Sequence, residues 1–479
     1  MIKFILSYKL IFKKVQFIYK TRGQFKMKKQ KLYIALYEQL KNQIIEGQYQ
    51  TQDKFPSKRQ LSEHLSLSHT TIEHAYQLLL DEGFIYSKPR SGYYVSDIQS
   101  LPVINVNSPS IETEANPIDT NQYKYAFNLA EIDAEYFPLN LFRKFAKEAF
   151  EDNELALLEK GDIQGELNLR QQIAHYLFNS RGVSCHPNQI IIGSSTEQLL
   201  NMITDILKTS SFIIEKPSYP PIKHVLDKNN HDYIQATVEK DGINMTDVLN
   251  SNNDIVYITP SHQFPTGYVM NLKKRTQLIK WAHQKHSRYI IEDDYDSEFR
   301  YYGKPIPALQ SLDKKDKVIY ISTFSKSLYP SCRIAYIVLP KTLLQSYLSM
   351  PYKESNTVPV HIQQIIANFM SSGSFERHLN KMRKIYREKL NYILQRLEPY
   401  KEQLNIEGAL TGMHFTLTVN NGLTMSQCLH NAEELKLKLN IYNYDEQVEP
   451  IPKFIIGFGG IPNHQLKEHT DILIKALTL

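Results

Sequence analysis

Residues 320–333 read YISTFSKSLYPSCR, a β-branched run that ends in hydroxyl side chains around Lys326, with Arg333 seven positions further on. A lysine held among small hydroxyl residues at the mouth of a buried strand is either a surface charge or an amine placed to condense with a carbonyl. Four other apolar runs end equally abruptly. QIIIGSSTEQ, FIIEKPSY, DIVYITPSHQFPTG and RYIIEDDYD each pass from Ile- and Val-rich residues to hydroxyls, an aromatic ring, an amide or carboxylates. Singly, these groups have ordinary explanations: a solvated lysine, a capping pair at Asp293 and Asp294, a core tyrosine at Tyr219. Their arrival at the ends of five consecutive strand-like runs points to a pocket.

The contents of that pocket match the needs of pyridoxal 5'-phosphate: an amine for the Schiff base, a carboxylate for the pyridine nitrogen, an anion site for the phosphate and an aromatic face for the ring. Lys326 supplies the amine and Asp293 the carboxylate, while Tyr295 is placed to reach the ring hydroxyl and Tyr219 to lie over the ring. Ser195 and Thr196 open the helical stretch TEQLLNMITDIL, so their hydroxyls and its N-terminus form an anion site. Thr323, Ser325 and Arg333 complete it.

Positioning these groups requires a sheet. From about residue 124 to 479, strand-like runs alternate with helix-length segments, which predicts an α/β domain with a mostly parallel sheet. Open sheets of this kind bind ligands at the carboxyl ends of their strands, where the reactive residues fall.

The first part of the chain has another logic. Leu32, Leu36, Leu40 and Ile44 recur at helical spacing before Gly47. In FPSKRQLSEHLSLSHTTIEHAYQLLLDEGFIYSKPRSGYYV, Ser57 caps a helix over Lys58 to Leu65, residues 66–68 turn, and Ser68 caps a second helix ending near Gly83. Two helices joined by a tight turn, then FIY and GYYV around a polar KPRSG tip, describe a winged helix-turn-helix over residues 27–96. His69, Thr70 and Thr71 begin the helix that enters the major groove of double-stranded promoter DNA, with Lys58, Arg59 and Arg90 at phosphates or groove edges and Gly92 in the wing. A plain helical bundle with solvated charges leaves the wing unexplained.

The 479 residues, 42% apolar and 22% charged, suit a folded multidomain protein. Cys185, Cys332 and Cys428 have neither disulfide-frame nor zinc spacing and read as reduced cytoplasmic thiols, with no metal site. The net charge of +6 is concentrated: residues 1–26 carry seven basic residues and no acid, leaving −1 from Met27 onward. That leader reads as an untranslated stretch upstream of a start at Met27, in preference to an amphipathic membrane-surface helix or a basic DNA-binding arm. No run long enough to span a membrane occurs. Residues 97–123, rich in Asn, Ser and Pro, form a linker.

PSKRQL, EHAYQLLLDEGF and Gly92 resemble the winged helix of the GntR family, and EDDYDSEF, TPSHQFPTG and TFSKSLYPSCR resemble fold type I aminotransferases across most of residues 125–479. The combination resembles MocR-type regulators of the GabR and vitamin B6 kinds. The resemblance implies a transcriptional regulator, not an enzyme of efficient turnover, that senses pyridoxal phosphate or an amine or amino-acid effector through a lysine aldimine. It implies a domain-swapped, head-to-tail homodimer. Departures qualify it. The GntR family usually has arginine at His69 and glycine at Arg90, so base readout differs and His69 adds pH sensitivity. Phe264 replaces the asparagine that holds the ring hydroxyl, leaving His262 and Gln263 as substitutes. Pro221 and Ile451 stand where GABA-responsive relatives have arginines, and near KFIIGFGG only Lys453 is basic, so a bidentate carboxylate clamp is missing. A working aminotransferase with an accessory winged helix, and a DNA-binding module with an inert body, are the competing readings.

Overall fold

The computed structural model describes residues 32–97, 123–152, 156–303, 306–351, 353, 355–442 and 451–479. The leader and nearly all of the linker lie outside them. The chain divides into two compact units, Met1–Asn116 and Pro117–Leu479.

In the first unit α1 (Leu32–Ile45) precedes a short strand β1 (Lys54–Phe55), then α2 (Lys58–Leu65) and α3 (His69–Asp81), then β2 (Ile85–Lys88) and β3 (Gly92–Val95). Ser57 caps α2 reciprocally: its Oγ accepts from the Gln60 backbone N–H at 3.2 Å, and Gln60 Oε1 accepts from the Ser57 N–H at 3.1 Å. Ser66 takes a left-handed conformation that ends α2, and Ser68 caps α3. Ile72, Ala75, Tyr76 and Leu79 make one buried stripe of α3 that packs with Leu36, Leu40 and Ile44 of α1. β3 pairs antiparallel with both β2 and β1; the sequence pattern had shown only the hairpin.

The second unit is built on an eight-stranded sheet. Its strands are β5 (Ile190–Gly193), β6 (Phe212–Lys216), β7 (Tyr233–Glu239), β8 (Gly242–Ile243), β9 (Ile255–Ile258), β10 (Tyr289–Asp293), β11 (Val318–Thr323) and β12 (Ala335–Val338), in spatial order 5-12-11-10-9-6-7-8; the short β4 (Tyr125–Ala126) lies outside it. β6, β7, β9, β10 and β11 are mutually parallel, while β12 runs antiparallel between β11 and β5. The five chemistry-bearing strands are therefore not consecutive: β7 and β8 intervene in the chain, and β12 intervenes in the sheet.

Strand alternation sorts side chains between two faces. After α4 (Leu139–Asp152) and α5 (Leu167–Arg181), α6 (Thr196–Ile206) and α7 (Pro220–Lys228) share a core with Tyr257, Ile291, Ile319 and Ile321. Val256, Ile258, Ile290 and Val318 face the opposite core with Trp281 and Leu278. A second, antiparallel sheet contains β13 (Leu404–Glu407), β14 (His414–Val419), β16 (Asn440–Ile441) and β17 (Lys453–Gly457), order 13-14-17-16, while β15 (Leu437–Lys438) pairs with β4 and a helix over Leu466–Thr478 follows. The long helix spanning Ser374–Leu397 packs in the core shared by the two sheets. No described helix is long and apolar enough to cross a membrane.

Candidate functional site

The carboxylates of EDDYD separate by the pleat of β10. Glu292, on one face, accepts from the backbone N–H groups of Leu309 (2.7 Å) and Gln310 (2.9 Å). Asp294, on the same face, accepts from Arg181 Nε at 2.8 Å and Tyr320 Oη at 2.6 Å. Asp293 shares parity with Ile291 and so faces the α6 and α7 side. The register pairs Ile291 with Tyr257, which brings the Tyr257 hydroxyl two residues along to Asp293 Oδ2 at 2.7 Å. Asp293 Oδ1 is buried with no hydrogen-bond partner. Burial raises this carboxyl to about 7, opposed by the Tyr257 hydrogen bond and reinforced by Asp294 and Asp296.

On the same face, α6 starts at Thr196 with Ser195 as its cap, Oγ accepting from the Gln198 N–H at 3.2 Å. Tyr219 precedes α7 and packs against the core beneath β6. Its hydroxyl is pushed up to about 12, by burial first and then by Asp293 and Glu197, while Arg333 opposes the shift. Thr323 Oγ1 lies 3.0 Å from Ser325 Oγ and accepts from the Ser325 N–H at 3.1 Å. Arg333 has a left-handed backbone (φ 49°), an exposed side chain and no hydrogen bond or ion pair among the described residues. Lys326 is half-buried, its Nζ donates to the Leu129 carbonyl, and burial lowers it to about 8 against the pull of Asp296.

The remaining pocket residues behave differently. The Tyr295 hydroxyl donates to the His262 carbonyl at 2.9 Å. His262 Nδ1 meets both oxygens of Asp296, at 3.0 and 2.9 Å, and its Nε2 is buried without a partner. The Gln263 amide is consumed by the turn: Nε2 donates to the carbonyls of Pro217 (2.8 Å) and Phe264 (2.6 Å), and Oε1 accepts from Thr266 Oγ1 (2.6 Å). Among the two residues offered in place of the missing asparagine, only His262 keeps an uncommitted nitrogen. Tyr257, Asp296 and His414 escaped sequence reading. Tyr257 was recoverable from strand alternation; the other two depend on contacts between distant segments.

In the winged unit, His69 and Thr70 are exposed at the start of α3, and Thr71 is half-buried, its Oγ1 2.8 Å from Ser68 Oγ. Arg59 is exposed and paired with Glu63 at 2.9 Å. Lys58 is tied to Glu73 at 3.2 Å and lies over the Tyr93 ring at 5.6 Å. Arg90 is exposed at the wing tip in a left-handed conformation (φ 62°), and Gly92 follows at φ 106°. The left-handed backbone explains why glycine suits position 90.

An orphaned carboxylate oxygen, a deprotonation-prone amine, an unpaired guanidinium and a capped helix N-terminus fit pyridoxal phosphate. The comparisons agree. Residues 127–437 match the family described as aminotransferase class I and II, and residues 32–95 match bacterial regulatory proteins of the gntR family. The HTH-type transcriptional regulator YdeL of Bacillus subtilis is 36% identical, covering 91% of this chain and 95% of its own. The probable rhizopine catabolism regulatory protein MocR of Rhizobium meliloti is 32% identical over 75% of each chain. Among solved structures, the α-aminoadipate aminotransferase LysN of Thermus thermophilus, complexed with N-(5'-phosphopyridoxyl)-L-leucine, superposes with a TM-score of 0.65 at 21% identity, covering 74% of this chain and 92% of that one. The chain belongs to the MocR-type GntR regulators, in which a gntR-family DNA-binding region is joined to a pyridoxal phosphate-dependent aminotransferase class I and II domain.

Proposed function

We propose that this regulator binds promoter DNA as a homodimer through residues 27–96, and that residues 124–479 sense pyridoxal phosphate or an amine-bearing effector at Lys326. The observation that carries the reading is Asp293: a buried carboxylate with one oxygen satisfied by Tyr257 and the other lacking a donor. Such a group is costly unless a cationic N–H meets it, and a protonated pyridine nitrogen does so. Tyr219 would cover the ring, and Ser195, Thr196, Thr323, Ser325 and Arg333 would hold the phosphate. The cofactor supplies an aldehyde to which an amine can be joined reversibly. This chain supplies a lysine whose amine burial lowers to about 8, which enlarges the share of the neutral form that attacks a carbonyl. Effector binding acts on DNA only through a difference in affinity between two conformations.

The test is spectroscopic. Added pyridoxal phosphate is expected to produce a visible absorption band that Lys326→Ala abolishes, and borohydride followed by peptide mass analysis is expected to find the cofactor on that lysine. Fluorescence anisotropy of labelled promoter DNA is expected to change with cofactor. An unmodified Lys326 would end the sensor reading and leave a DNA-binding protein with an unexplained body.

A further inference from the structure

Phe264 stands in an aromatic cluster. Its ring is edge-on to Tyr219, Tyr295 and His414, with centroids 5.8, 6.4 and 5.5 Å away, and His414 lies 4.4 Å from His262. The partners of the two imidazoles assign their protons. A carboxylate only accepts, so His262 Nδ1 carries a proton toward Asp296, while its Nε2 is buried without a partner. A carbonyl only accepts, so His414 Nε2 carries a proton toward Pro265 at 3.2 Å, and Nδ1 is bare. Burial, then the neighbouring His262 and Lys326, hold His414 well below its ordinary pKa and therefore neutral. Gly412 makes the arrangement possible: a Cβ there would lie 2.0 Å from His262 Nδ1 and 2.5 Å from Asp296 Oδ2.

The cluster brings together aromatic rings and the bare His414 nitrogen, which suit an ammonium group and not a carboxylate. A carboxylate would need a free guanidinium. Lys453 is committed to Glu407 at 3.0 Å and lies 4.5 Å from the Tyr442 ring centroid, and Arg333 belongs to the phosphate site in the reading above.

Resting on that reading, we propose that the effector is a primary ammonium compound with an apolar or aromatic body and no carboxylate, selected by Phe264 and His414. The cofactor-loaded, full-length protein is titrated with benzylamine, γ-aminobutyrate and glutamate, following the visible band and the anisotropy of labelled promoter DNA in parallel. Benzylamine is expected to act at a concentration lower by about thirtyfold than either amino acid, the equivalent of one cation–π contact in a desolvated site. His414→Phe, which keeps the ring but removes the acceptor, is expected to erase most of that preference, and Phe264→Arg to shift it toward γ-aminobutyrate. Equal or better response to γ-aminobutyrate or glutamate in the unaltered protein overturns the proposal, whether or not either variant folds. Absence of the loading band before any amine is added defeats the sensor reading instead, so the two failures are distinct.

Discussion

Replacing Asp293 by asparagine should make the cofactor-free protein more stable while weakening its hold on the cofactor. The carboxyl is raised from 3.8 to about 7 in the folded chain, with burial as the leading cause. Between those values the unfolded chain has lost its proton and the folded chain has kept it, so stability falls as pH rises and levels off once both forms are ionised. The penalty is about 1.5 kcal/mol at pH 5 and about 4 kcal/mol at pH 8, at 1.36 kcal/mol per pH unit. Asparagine has a similar shape, pairs with Tyr257 through its oxygen and carries no charge, so it escapes the penalty at either pH. Urea unfolding of wild type and Asp293→Asn at both pH values, without cofactor, measures the difference. The variant's advantage is expected to grow by about 2 to 3 kcal/mol from pH 5 to pH 8, while its affinity for pyridoxal phosphate drops. An advantage independent of pH, or one that shrinks as pH rises, would refute the placement of an uncompensated carboxylate at the end of β10.

Three further outcomes follow from the same geometry. Arg90→Gly relaxes a left-handed backbone, so the melting temperature should hold or rise, by at most about 1 kcal/mol in stability, while DNA affinity falls and its salt dependence lessens by about one ion; unchanged DNA binding removes Arg90 from the interface. Lys389→Met strips the partner from buried Asp133, which Lys389 Nζ meets at 2.6 Å, and should cost about 3 to 5 kcal/mol by denaturant unfolding, largely recovered by adding Asp133→Asn. The rate of pyridoxal phosphate capture should climb toward about pH 8 and then level, following the lowered Lys326 amine; a rate still rising steeply near pH 10 would mean that the amine is an ordinary exposed lysine.

What could be read from the chain was whatever local chemistry decides. The start of α2 followed from Ser57, the start of α3 from Ser68 and its end from Gly83, because each involves residues within one turn. The pocket was legible in part because parallel strands end at one sheet edge, so polar residues after apolar runs must gather there. The unread parts are contacts between distant segments. Lys58 looked like a free phosphate contact until Glu73, fifteen residues on, proved to be its partner. Asp296 and His262 meet across 34 positions, beside a glycine at 412 that nothing in its own neighbourhood marks as special. The antiparallel β12 was invisible for a related reason: AYIV has the same apolar composition as its parallel neighbours, and strand direction is set by connection and register.

The EDDYD stretch shows why the arrangement needs both faces of the sheet. Four carboxylates within five residues would repel one another if they shared a pocket. The pleat sends Glu292 and Asp294 away from the α6 and α7 side. There Glu292 is met by two backbone N–H groups and Asp294 by Arg181, itself anchored to the Ile306 carbonyl and Ser261 Oγ. Asp296 is turned toward His262, where an imidazole N–H takes up its charge. Asp293 faces the α6 and α7 side with an unmet oxygen, and Asp294 keeps one on the other face. Arg181, on the far side of the strand from Asp293, acts on it by neutralising the like charge beside it. Removing that guanidinium should disturb cofactor binding without touching any group that contacts the ring.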